Sequence, residues 1–163
     1  MKKFMKKGFT LVELLIVIAL LGALAIGLLA ALDPVEMMRR GADTGARNNT
    51  KSMFDAFTRF YVAKGYMPWC NAPGSCTATS GLQANAAGAA SIAIENTISA
   101  GELKSTFFTA ARKDLTRIYV SGTESTAIVC FLPQSKSLST DANTLYNASG
   151  VTTSPATHWC LSQ

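Results

Sequence analysis

The sequence predicts an α+β protein: a long N-terminal helix, membrane-compatible in its first half and amphipathic in its second, carrying a small antiparallel β-sheet. Three observations predict it. An unbroken apolar block fills Phe9 to Leu32, a helical apolar period follows from Ala42 to Tyr61, and two β-branched and aromatic runs flank a turn at Gly122-Thr123-Glu124-Ser125. At 163 residues the chain has room for one core and an appendage, with little left for a second domain.

The apolar block comes first. It holds about 24 residues, which as a helix span roughly 36 Å, enough to cross a hydrocarbon core with tilt. Lys2, Lys3, Lys6 and Lys7 precede it and a more polar chain follows, so the short N-terminus is expected in the cytoplasm and the remainder outside. A secretory signal peptide is the competing reading, and Ala23-Leu24-Ala25 offers a small-x-small pattern for it. Against that, the run stays apolar well past Ala25 and contains a carboxylate, Glu13, which neither a signal peptide nor a plain anchor explains.

Asp33-Pro34-Val35-Glu36 reads as a helix start, with Asp33 at the N-cap, Pro34 in the first helical position and Glu36 three residues after the cap. A helix break is therefore expected at Asp33 and Pro34. Beyond it, Ala42, Ala46, Met53, Phe57, Phe60 and Tyr61 recur at three- and four-residue spacings, while Arg39, Arg40, Asp43, Arg47, Lys51, Asp55 and Arg59 fall mostly on other faces. Gly65 and Pro68 stop the helix.

Residues 66–90 are rich in Gly, Ala, Ser, Thr and Asn and read as a loop packed on the head. A short helix is expected around Ile94, Ile98 and Leu103, weakened by Gly101. Leu115 to Ser121 and Thr126 to Leu132 form the antiparallel pair, Ser135 to Pro155 is polar and turn-rich, and Thr157 to Leu161 adds a short strand.

Charge restricts the function classes. Fifteen basic residues face ten acidic ones, but four of the fifteen are the leading lysines. From Gly65 onward Lys104, Arg112, Lys113, Arg117 and Lys136 are matched by Glu95, Glu102, Asp114, Glu124 and Asp141. Nucleic-acid binding needs clustered positive charge, so no nucleic-acid partner is expected from so balanced a head.

Gly8-Phe9-Thr10-Leu11-Val12-Glu13-Leu14-Leu15, following Lys6-Lys7 and opening an apolar helix, resembles the prepilin processing motif of type IV pilins and type II secretion pseudopilins. The resemblance covers Lys6 to Ile18 closely; beyond about Lys64 only a general pilin layout is recognisable, and the family's usual proline lies about four residues earlier than Pro34. It implies a leader at 1–8, a membrane and filament-core helix at 9–32, an amphipathic helix at 33–64 and a globular head at 65–163. A prepilin peptidase is implied to cut after Gly8 and to methylate the new amine of Phe9. Glu13 stands where the family keeps its glutamate, and it is expected to act as the assembly contact, paired with the Phe9 amine of a neighbouring subunit displaced along the filament axis. The implied partners are identical subunits in a helical polymer, the peptidase, an assembly ATPase, an inner-membrane platform protein, and lipid before assembly. The implied location is the cytoplasmic membrane for the precursor and the cell surface for the filament.

Cys70, Cys76, Cys130 and Cys160 all follow the apolar block. An even count in an exported small domain reads as disulfides, and four cysteines allow three connectivities. The favoured one joins Cys70 to Cys76 around Pro73-Gly74 and lets Cys130 and Cys160 clasp a C-terminal loop, as in many pilins. A zinc site with His158 is disfavoured by the spacing and the oxidising surroundings, and no catalytic constellation or cofactor site is evident. Trp69, Trp159 and Tyr146 are expected to pack the cysteine loops. Asn48-Asn49-Thr50 and Asn147-Ala148-Ser149 match glycosylation acceptor patterns. A pilus subunit is the leading reading, a secretion pseudopilin the second, and a membrane-tethered domain that never polymerises the third.

Overall fold

The structure, a computed structural model, describes residues 8–85, 88–141 and 144–162. Met1 to Lys7, with the four lysines on which the expected orientation rests, lie outside the described residues. The chain divides into two compact units, one ending at Val35 and one beginning at Glu36.

In the first unit, α1 runs Leu11–Ala31 without interruption at Gly22 or Gly27. Its large apolar side chains are all exposed, from Leu11 at 82% through Ile18 at 61% to Leu29 at 70%. Nothing in its own unit buries them. The helix ends at Leu32, and α2 begins at Pro34 and runs to Lys64, so the expected break falls at Leu32 and Asp33. Asp33 Oδ1 accepts the Val35 N–H at 3.1 Å, as an N-cap should.

In the second unit α2 buries Ala46, Met53, Phe57 and Phe60, four of the six apolar positions the period marks, and half-buries Ala42 and Tyr61. They pack on a four-stranded antiparallel sheet of order β1-β2-β3-β4, with β1 Thr79–Gln83, β2 Ile118–Gly122, β3 Ala127–Phe131 and β4 Trp159–Ser162. The register places Ile118, Phe131 and Trp159 in one row and Tyr119, Cys130 and Cys160 in the next, so adjacent rows face opposite sides. Ile118, Val120, Val129 and Phe131 join the α2 side chains in the core. The other face is covered by the segment after residue 144: a Cβ on Gly150 would collide with Ile128, and Tyr146 bridges to His158.

Helices α3 (Ala89–Ser99) and α4 (Phe107–Ala111) close the core with Ile94 and Phe107. The single helix expected around Ile94, Ile98 and Leu103 therefore stops before Leu103, because Gly101, at φ +80°, turns the chain out of it. Residues 66–90 are not all loop. They contain β1, which pairs with β2 through an irregularity between Thr79 and Leu82 and carries Gly81 at φ +61°. The first expected strand is also shortened: Leu115–Arg117 is a 3₁₀ turn that feeds β2. A further short helix, α5, lies at Lys136–Ser139 within the stretch expected to be turns alone.

One polar cluster fastens α2 to the sheet. Asp43, expected on the solvent side, is 2% exposed. Its Oδ1 accepts from Arg117 Nη1 at 2.9 Å, and its two oxygens receive the N–H groups of Gln134 and Ser135 at 2.8 to 3.0 Å. Arg117, itself buried, also donates to the Ala42 carbonyl and to Asp114 Oδ1. Burial pushes the Asp43 carboxyl up, but the donors from Ser135, Gln134 and Arg117 together outweigh it and hold its pKa below the ordinary 3.8.

Removing one partner of such a buried pair leaves the other charge uncompensated. Asp43→Ala is expected to cost about 3–5 kcal/mol in urea unfolding, read as a lower midpoint at unchanged slope. Because the folded pKa is depressed, this stabilisation is complete above the unfolded value and is lost as pH falls through the folded one. The gap between wild type and Asp43→Ala should accordingly narrow below about pH 4.

Candidate functional site

The candidate site is the start of α1, where residues bearing polar chemistry meet an otherwise apolar helix. Gly8 and Phe9 lie outside the helix and are exposed, Phe9 at 80%. Thr10 is extended, at φ −82° and ψ 149°, and forms the N-cap. Its Oγ1 accepts the Glu13 N–H at 3.2 Å, while Glu13 Oε2 receives the Thr10 N–H at 2.9 Å and the Thr10 hydroxyl at 2.8 Å. This is a complete capping box.

Its geometry has two chemical results. The helix cannot extend back past Leu11, so the Gly8–Phe9 peptide bond stays in non-helical, exposed chain. Both bonds from Thr10 also converge on Oε2, and among the described residues Glu13 Oε1 accepts nothing. Sequence reasoning treated Glu13 as waiting for another subunit; the structure gives it a local partner as well. Thr10 was overlooked, although Thr-x-x-Glu ahead of an apolar run is itself the capping signal.

The other sequence-marked residues lie in the head, as parts of its framework. Cys70 is disulfide-bonded to Cys76 and Cys130 to Cys160, which leaves no cysteine thiol beside His158. Cys130 and Cys160 are direct cross-strand neighbours. The Cys70–Cys76 loop is tied to the β2–β3 turn: Glu124 Oε1 accepts from the Gly74 N–H, Trp69 Nε1 donates to the Thr123 carbonyl at 3.0 Å, and a side chain at Gly122 would strike Trp69.

Trp69 packs edge-on against Phe57, and Trp159 lies against Phe131 beneath the Arg47 guanidinium. His158 is buried against the ring of Tyr119, with Nδ1 2.7 Å from the Thr157 hydroxyl, and burial lowers its pKa below the ordinary 6.5. Acidification below about pH 6.5 therefore favours the unfolded chain at this residue. Of the two glycosylation patterns, the first has its Thr50 fully buried in α2. In the second, Asn147 Oδ1 accepts from the N–H groups of Ser149 and Val151.

Residues 3–29 match the prokaryotic N-terminal methylation motif. The chain carries the prepilin-type signature of type IV pilins and pseudopilins. That signature implies processing by a prepilin peptidase and assembly into pilus-like polymers, and it spans the residues that the capping box organises. Proteins bearing it are structural subunits. Leu11–Ala30 is also long and apolar enough to cross a membrane, which together with the signature fits a membrane-anchored precursor and a surface filament. No curated protein and no solved structure matches the chain.

Two substitutions separate cap from head. Thr10→Ala should weaken the first turn of α1 by about 0.5–2 kcal/mol, seen as faster amide exchange at Leu11 to Glu13 in micelles, with Thr10→Ser close to wild type. Opening the Cys130–Cys160 link, which closes a 30-residue separation, should cost the head roughly 3–4 kcal/mol and leave those amides unchanged.

Proposed function

We propose that the chain is a pilin, the structural subunit of a type IV pilus-like extracellular filament, built through α1. The observation that carries this reading is the position of Glu13. It is the single carboxylate of a helix whose apolar side chains are exposed throughout, and it stands one turn from the N-terminus that cleavage after Gly8 would create.

An acidic residue within a bilayer costs about 2.5–3.5 kcal/mol at a helix centre, so it is retained only where it finds a partner. The capping bonds from Thr10 supply part of that partnership and occupy one carboxylate oxygen. The amine of a mature Phe9, methylated by the same peptidase, is a cation of the right kind for the other. In the filament it is supplied by a neighbour displaced along the filament axis, whose Phe9, like this one, lies outside α1 ahead of the Thr10 cap.

The apolar surface of α1 then serves twice. It holds the stored subunit in the cytoplasmic membrane with the head outside, and it becomes the filament core when helices pack on helices. Extraction from lipid calls for an assembly ATPase and an inner-membrane platform protein. The Cys130–Cys160 link supports a pilus subunit over a secretion pseudopilin, since pseudopilins often lack a C-terminal disulfide.

Gly8→Leu should leave an uncut precursor in the membrane, whereas wild type yields a chain that begins with N-methylated Phe9 by mass spectrometry. A mature terminus near Ile26 would replace this reading with a cleaved signal peptide. Glu13→Leu and Glu13→Gln should both be cut and remain in the membrane, while sheared surface filaments fall below detection. Wild-type filament levels from both variants would overturn the assembly role of Glu13.

A further inference from the structure

The formal balance of charge in the head conceals its distribution. Glu36 and Asp43 are buried, with Glu36 Oε1 accepting the Lys136 N–H at 2.9 Å and Asp43 held by Arg117, Gln134 and Ser135. Glu102 is paired with Arg59, and Asp114 with Arg117. These four acids are buried or paired, whereas Asp33 and Glu95 are exposed, as are Arg39, Arg40, Arg47, Lys51 and Lys136.

Exposed cations and apolar side chains come together in the first two turns of α2. Met37 is 61% exposed and Met38 76%, and Arg39, Arg40 and Lys136 are exposed beside them. Arg40 approaches Glu36 at 3.6 Å yet keeps most of its side chain in solvent. Since successive helical residues are about 100° apart, positions 37–40 encircle the helix. Lys136 is brought to the same turn by its backbone bond to Glu36. The result is a collar of two flexible apolar side chains and three cations.

We propose that this collar docks on the anionic phospholipid headgroups of the leaflet from which the head emerges, holding the stored subunit against the membrane surface. Three observations select that occupant. Met37 is six steps along the chain from Ala31, roughly 9 Å if helical and at most about 21 Å if extended, so the collar stays close to the headgroup layer whatever the posture of the head. Its composition is that of an interfacial segment, with apolar side chains to enter the acyl boundary and cations to meet phosphate. Each cation near an anionic surface strengthens attraction on the order of fivefold, an effect screened by salt. Because the collar encircles the helix, docking requires no particular rotation of the head.

The proposal rests on the membrane-anchored reading of α1, and the test separates the two. Full-length chain is placed at one copy per nanodisc, in phosphatidylcholine alone or with one third phosphatidylglycerol, and peroxide oxidation of each methionine is followed by peptide mass spectrometry. Met53 and Met67, both fully buried, report that the head is folded. Oxidation of Met37 and Met38 is expected to slow about threefold or more on the anionic discs, and the difference should disappear in high salt and in Arg39→Glu/Lys136→Glu.

Equal rates on both discs, with the chain co-eluting with them, would overturn the docking and leave the anchor standing. Failure to co-elute would overturn both. Protection that needs a second copy per disc whatever the lipid would assign the collar to a subunit interface, and protection that needs added DNA would assign it to nucleic acid; either result also overturns the proposal.

Discussion

The constraint on which everything else depends is that α1 buries nothing of its own. Its 21 residues expose leucine, isoleucine and valine on all sides, and in water such a surface is untenable. Lipid and copies of the same helix are both apolar enough to cover it. The proposed passage from one to the other needs a head whose fold does not rely on α1. The second unit has a core of its own, in which α2, α3, α4 and the sheet are joined by Met67, Trp69, Cys70 and Ala84.

Independence has to be secured at α2, the element that continues toward the membrane helix. Apolar packing along Ala46, Met53 and Phe57 fixes which face meets the sheet. Asp43 and Arg117 add direction, because the carboxylate must receive N–H groups of Gln134 and Ser135 while the guanidinium reaches back to the Ala42 carbonyl. A buried ion pair contributes little net stability over an apolar replacement, but a broken one is costly, so the cluster acts mainly against misregistered docking of α2.

Much of the architecture was legible in the sequence because its signals are local. Apolar runs gave α1, spacing gave the packed face of α2, and β-branched runs around Gly122 to Ser125 gave β2 and β3. A break next to Pro34, expected at Asp33-Pro34 and found at Leu32-Asp33, follows from proline chemistry. What escaped depends on long-range partners. β1 is Thr-Ser-Gly-Leu-Gln, polar and glycine-bearing, and is a strand only because β2 offers it an edge. Asp43 reads as a solvent residue until Arg117, 74 positions later, is placed beside it. At the site, Gly8, Phe9 and Glu13 were marked by motif, whereas Thr10 was passed over despite a capping spacing that is entirely local.

The contact proposed to hold the filament, between the Glu13 carboxylate of one subunit and the Phe9 amine of another, is open to zero-length coupling. Filaments grown from an equal mixture of isotopically light and heavy subunits would be treated with a carbodiimide, which joins only carboxylates and amines already in contact, then digested and analysed by mass spectrometry. The account predicts an amide between Phe9 and Glu13 with mixed light and heavy isotopes, showing that the two residues came from different subunits. Filaments that couple readily through their heads but yield no Phe9–Glu13 amide, or yield it only within one isotopic label, would contradict it.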